Sequence, residues 1–172
     1  MKQNIILIGM PAAGKSTVGV LLAKSLGFRF LDTDLLIQEK ENHLLHEIIR
    51  EDGLDRFLAI ENEVLSTLDV TRTVIATGGS AVYSKPGMAN LKALGPVIYL
   101  NIGFDTLKKR LGDYQNRGVV LREGMTLRDL YEERTALYRH YADGTVDEEA
   151  LAGGLTETTE KAILLAKALL ES

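Results

Sequence analysis

The sequence predicts an α/β fold: a five-stranded parallel sheet with helices on both faces and a lid at one edge. Three observations predict it. Strand-type runs occur at 3–8, 28–31, 72–76, 96–101 and 144–147. Between them lie stretches with helical spacing, at about 15–26, 34–40, 43–51, 55–68, 86–93, 104–111, 126–141 and 156–170. Strands separated by helices cannot pair as tight hairpins, so the sheet is parallel and needs both faces covered. Third, glycine-rich or acidic residues follow the strands directly, where sheets of this kind bind ligands.

The first strand, Asn4-Ile5-Ile6-Leu7-Ile8, is a continuous apolar run suited to a buried position. It runs into GMPAAGKST, residues 9–17, in which Gly9, Gly14, Lys15 and Ser16 fit G-x-x-x-x-G-K-[ST]. That spacing is the Walker A pattern. Glycines let the backbone turn tightly and aim several N–H groups at one anion. Lys15 then reaches the β- and γ-phosphates of a nucleotide, and the Ser16 hydroxyl serves Mg²⁺. Gly9, Ala12, Ala13, Gly14, Lys15, Ser16 and Thr17 form the expected nucleotide cradle. After the loop, Val18, Leu21, Leu22 and Leu26 recur at helical spacing, which gives the strand–loop–helix context the motif requires.

The second strand ends in Phe30-Leu31-Asp32-Thr33-Asp34. If the chain stays extended, the two carboxylates face the same way. One then supports the metal and the other accepts a proton from a substrate hydroxyl. Asp is also a good helix cap, so both could instead cap the next helix. The third strand ends in Thr77-Gly78-Gly79-Ser80-Ala81, whose glycines expose backbone N–H groups and leave room for a ligand, or form a plain turn. Residues 112–124, GDYQNRGVVLREG, carry Arg117 and Arg122 and read either as a lid bringing positive charge to the phosphates or as a solvated loop. Of the two, Arg117 is the stronger candidate. In the helix at 126–141, Arg134, with Arg128 and Arg139 nearby, is placed to bind an anionic substrate group if one of them faces the site. His43, His46 and Glu47 have metal-binding helical spacing, but a solvated face explains them better. Tyr131, Tyr138 and Tyr141 read as packing residues.

Composition narrows the class. The chain has 172 residues, 45% of them hydrophobic and 26% charged, with a net charge of −4 and no cysteine. One domain spanning 1–172 is expected, with a helical substrate part at about 33–62 and the lid at about 112–124. Disulfides and thiolate metal sites are excluded. No long basic block points to nucleic acid, and no apolar run is long enough to span a bilayer. The N-terminus enters a strand almost at once, without a signal-peptide layout. The expectation is a cytoplasmic, monomeric protein that handles a small molecule.

In order and spacing these motifs resemble the shikimate kinase family over nearly the whole chain, from residue 4 to about 147. The family patterns, a Walker A, F-x-D-x-D, G-E-x-x-F-R-x-x-E, a G-G-G turn, an R-P-L-L lid and R-x-P-L-Y, appear here as GMPAAGKST, FLDTD, GLDRFLAIE, TGGSA, RGVVL and RTALY. The resemblance implies a three-layer P-loop NTPase fold and transfer of the γ-phosphoryl of ATP to the 3-hydroxyl of shikimate, in the pathway to aromatic amino acids. It implies Ser16 and Asp32 at Mg²⁺, Asp34 as base and ligand of the substrate hydroxyls, and Gly78 and Gly79 against the substrate. It further implies Arg117 on the nucleotide phosphates and Arg134 on the substrate carboxylate.

The departures concern the acceptor. Ala12 replaces a loop glycine, Ser80 the third glycine of the turn, and Gly118 the lid proline. Leu54 replaces the family glutamate. Leu58 stands in the substrate pocket where the family has a second carboxylate-binding arginine. Arg56, two residues earlier, belongs to another helix face. Losing one charged hydrogen-bond partner costs about 1.5–3 kcal/mol. Three functions follow. The first is a shikimate kinase. The second is the same transfer to a less acidic cyclic polyol or sugar-like acceptor. The third is a nucleotide-binding regulatory module without turnover.

Overall fold

Asn4–Ile8 forms the central strand β1, and every residue in it is buried. Successive side chains of a strand point to opposite faces, so this run requires cover on both. The computed structural model, which describes residues 3–112 and 119–172, supplies it. The chain continues through α1 (Lys15–Leu26), β2 (Arg29–Asp32), α2 (Thr33–Glu41), α3 (Leu45–Asp52), α4 (Leu54–Thr67) and β3 (Thr73–Ala76). It then forms α5 (Lys85–Leu94), β4 (Val97–Asn101), α6 (Phe104–Leu111), α7 (Leu127–Tyr141), β5 (Gly144–Asp147) and α8 (Gly154–Glu171). Among the described residues two 3-10 turns, Ala81–Tyr83 and Glu148–Ala150, were not anticipated from the sequence.

The strands make one parallel sheet in the order β2-β3-β1-β4-β5. In register, Asn4 lies beside Thr73 and Leu7 beside Ala76, with Ile6 beside Val97 on the other flank. The order reverses at β1, with β3 on one side and β4 on the other, so a crevice opens beyond its carboxyl end. Helix α1 is held close to the sheet by Gly19, where a methyl group would come within 2.6 Å of the Phe30 ring. A smaller apolar cluster, Ile37, Ile48, Phe57 and Ile60, joins α2, α3 and α4 into a helical unit beside the crevice.

Far from that crevice, at the amino ends of the strands, Asn4 is fully buried. Its amide donates to the Val70 and Leu94 carbonyls, each at 2.9 Å, and its carbonyl accepts from Thr73 N at 3.0 Å. One side chain thereby ties β1 to the segments preceding β3 and β4.

Two local expectations change. The chain does not stay extended through Asp34: α2 begins at Thr33, so Asp34 sits in a first helical turn. Asp32 caps that helix, accepting from Asp34 N at 2.9 Å and Leu35 N at 3.4 Å. His43 precedes α3 instead of belonging to it, and Glu47 is used in capping, accepting from Leu44 N at 2.8 Å. Among the described residues no group of three or more His, Cys, Asp or Glu could hold a metal.

Candidate active site

The loop after β1 has the backbone its sequence demands. Gly9 has φ 151° and Gly14 φ 84°. A methyl group at Gly9 would lie 2.6 Å from the Leu100 carbonyl oxygen. Ala12, where the family has glycine, also adopts a left-handed conformation at φ 66°. Lys15 is buried, and its Nζ donates to the carbonyls of Gly9 and Met10 at 2.8 and 2.7 Å. Burial pulls its pKa down to about 8, while the nearby Asp34 charge opposes that fall.

Ser16 Oγ donates to Asp32 Oδ2 at 2.7 Å. Asp32 therefore takes the capping role with one oxygen and meets the phosphate loop with the other. A hydroxyl and a carboxylate oxygen so close together suit Mg²⁺, which takes few protein oxygens and completes its shell with phosphates and water. The donor set fits that ion.

Asp34 presses on the glycine turn. A methyl group at Gly78 would lie 2.5 Å from Asp34 Oδ1 and 3.1 Å from Glu61 Oε2. One at Gly79 would meet Pro11 Cδ at 2.7 Å and Arg134 Nη1 at 2.9 Å. The two glycines thus make room for side chains of the site itself. Burial, and then the Asp32 charge, push the Asp34 pKa up to about 6 against the pull of Lys15.

Arg134 is 7% exposed, and its Nε has no hydrogen-bond partner. Neither of its neighbours on α7 joins it. Arg128 stacks over Phe104 at 4.2 Å and pairs with Glu132, and Arg139 is exposed. A cavity of about 340 Å³ collects the loop, Lys15, Ser16, Thr17, Asp32, Asp34, Gly78, Gly79 and Arg134 in one cleft.

Leu58 does not line that cleft. It lies beside it, facing a small apolar recess with Leu54, Tyr83 and Arg122, and among the described residues only Arg134 borders both spaces. Arg56 is exposed and acts on Glu63, away from either. Arg117 and Gly118 lie outside the described residues. The later part of the expected lid is packed: Val119 is buried in the main core, with Leu121 and Met125 against it.

Several residues of the site escaped the sequence reading. Glu61 is 1% exposed; its Oε1 accepts from Ser80 Oγ at 2.6 Å and its Oε2 has no partner. Burial lifts its pKa to about 7 despite the Ser80 hydrogen bond. Its signal was an acid inside the buried stripe Phe57, Ile60, Leu65 of α4. Tyr138 is a packing residue, stacked on Tyr99 at 5.1 Å, but its hydroxyl also donates to the Gly79 carbonyl at 2.6 Å. Arg110 donates to the Ala12 carbonyl at 3.1 Å and pairs with Glu148, fixing the loop from α6.

Comparison with known proteins agrees with this geometry. The shikimate kinase family profile matches residues 11–163. Shikimate kinase 2 of Yersinia pseudotuberculosis serotype O:3 (strain YPIII) is 37% identical over 156 residues, covering 84% of this chain and 88% of that protein. The structure of shikimate kinase from Acinetobacter baumannii in complex with shikimate superposes with a TM-score of 0.86 at 33% identity, covering 98% of this chain and 94% of that one. The crystal structure of shikimate kinase from Aquifex aeolicus vf5 gives 0.78 at 32% identity, with 96% of each chain covered. With a Walker loop, an acidic strand end, a glycine turn and a buried arginine converging on one cleft, the chain belongs to the shikimate kinase family of phosphotransferases.

Proposed function

We propose that the chain transfers the γ-phosphoryl group of ATP to a hydroxyl of shikimate. One observation carries the reading: a single cleft is lined by the phosphate loop together with Asp34, Gly79 and Arg134. In this reading the acceptor hydroxyl lies between the Asp34 carboxylate and the γ-phosphate. The membership of the chain in a family whose Acinetobacter baumannii relative binds shikimate supports the choice of acceptor.

Asp34 accepts the proton of the acceptor hydroxyl as its oxygen attacks the γ-phosphorus; the bond to the β–γ bridging oxygen breaks and ADP leaves. A carboxylate with its pKa near 6 is a stronger base than an ordinary aspartate and is still ionised at neutral pH. Lys15 neutralises charge on the phosphates, turning from the Gly9 and Met10 carbonyls it holds in the free loop. Ser16 and Asp32 would hold Mg²⁺, which would supply screening of the phosphate charge. Arg134 takes the acceptor carboxylate, and Arg117 acts on the nucleotide phosphates. The helical unit α2–α4 forms the acceptor side, and one chain carries every proposed group, in keeping with a monomer. Among the described residues no helix is long and apolar enough to cross a membrane. Use of ATP and a small polar acceptor fits an enzyme of the cytoplasm.

The test is ADP release by the purified protein with Mg-ATP, using shikimate beside a panel of cyclitols and sugars. Saturable turnover at roughly micromolar to millimolar shikimate is expected. Turnover with a neutral polyol in preference to shikimate would show that the apolar wall of Leu54 and Leu58 has changed the acceptor. ATP binding without turnover on any acceptor would favour a regulatory module.

A further inference from the structure

With Leu58 on α4, one arginine of the family pair is missing, and Arg56 does not replace it. The recess that Leu58 borders nevertheless contains a second cation. Arg122, from the segment after residue 118, has its guanidinium 5.7 Å from the centre of the Tyr83 ring. Arg134 has its own 5.5 Å from the same ring. Both arginines border the recess together with Leu54 and Leu58.

We propose that Arg122 supplies the second cation on the acceptor carboxylate, reaching it from the lid side in place of the position on α4 that Leu58 occupies. The inference rests on the functional reading above and assigns a specificity residue to it. Four physical points carry it. Two guanidinium groups gathered around one aromatic ring repel each other, and an anion between them relieves that repulsion. Among the described residues neither arginine forms an ion pair with a carboxylate. Arg134 is buried with its Nε unpartnered, so it retains donors for an anion, while Arg122 is exposed and keeps the freedom to swing inward. Leu54 and Leu58 give the long stem of Arg122 an apolar surface to lie on, and their low polarity strengthens any ion pair formed beside them. Leu58 is then part of the arrangement, since an arginine there would bring a third positive charge to the same ring.

Steady-state kinetics on the wild type, Arg122→Ala, and the double variant Arg122→Ala with Leu58→Arg test this, each with shikimate and with its uncharged carboxamide. Arg122→Ala should raise the KM for shikimate about ten- to a hundredfold, with kcat and the KM for ATP little changed. The carboxamide should not distinguish Arg122→Ala from the wild type. Adding Leu58→Arg should restore the shikimate KM toward that of the wild type. Arg122 is exposed, so the melting temperature should not move. An unchanged shikimate KM in Arg122→Ala, or an equal loss with the carboxamide, overturns the role of Arg122 while leaving the kinase reading standing. A wild type that does not turn over shikimate at all overturns that reading, and this inference with it.

Discussion

Gly78 and Asp34 are packed so closely that a single methyl group on the glycine would lie 2.5 Å from the carboxylate oxygen Oδ1. The glycine is therefore a spacer for the proposed base. Gly78→Ala should push Asp34 aside and lower kcat about a hundredfold, the cost of misplacing a catalytic group by roughly an ångström. Stopped-time ADP assays and a melting curve check this. A fold that survives with full turnover would show that Asp34 can move without loss.

Asp34→Asn removes the proposed base but not the phosphate loop. Turnover should fall by about 10²–10⁴-fold, while ATP affinity, measured by titration calorimetry, stays close to that of the wild type. In the wild type, kcat/KM should rise with pH along an acidic limb near 6, as the Asp34 carboxyl loses its proton. Glu61 approaches the same glycine, so the limb reports the pair and not one residue alone.

Glu61 ties stability to pH. Its folded pKa, about 7, lies above the ordinary value of 4.5, so the folded state holds the proton more tightly than the unfolded chain. Its contribution is full below about pH 4.5 and is lost as pH rises through 7. Glu61→Gln keeps an acceptor for Ser80 and cannot ionise. It should gain about 1–3 kcal/mol over the wild type at pH 8, and little at pH 5. Melting temperatures at the two pH values give the comparison.

Ala12 holds a left-handed conformation at φ 66°, which costs a residue with a side chain about 1–2 kcal/mol. Ala12→Gly should relieve part of that and raise stability by about 0.5–1 kcal/mol, a melting shift of about 1–4 °C. An unchanged or lower melting temperature would mean that the conformational freedom glycine adds to the unfolded chain outweighs the strain relieved.

Among the described residues the eight helices and five strands were legible because each rests on local pattern, and no boundary moved by more than two residues. The strand–loop–helix unit at 4–26 was the clearest: five buried residues, a glycine, and a helical stripe. Asp34 is singled out by its position after a strand, but it lines the cleft from the first turn of α2 and not from an extended chain. What stayed hidden depends on distant packing. Tyr138 reaches Gly79 across 59 residues of sequence, and Arg110 reaches Ala12 across 98. No periodicity encodes such pairs. Leu58 shows the other limit. Its identity was informative, but the recess it faces, and the arginine opposite, emerge only when 119–125 is folded against α4 and α7.

The buried Asn4 network has a consequence for how this protein can change over time. The hydrogen bonds that lock β1 to its flanking segments lie at the end of the sheet opposite the cleft. Substitutions around Leu58, Tyr83 and Arg122 therefore leave that anchor untouched, and the acceptor pocket can drift while the scaffold persists. One arginine can thus be exchanged for another from a different part of the chain through variants that still fold.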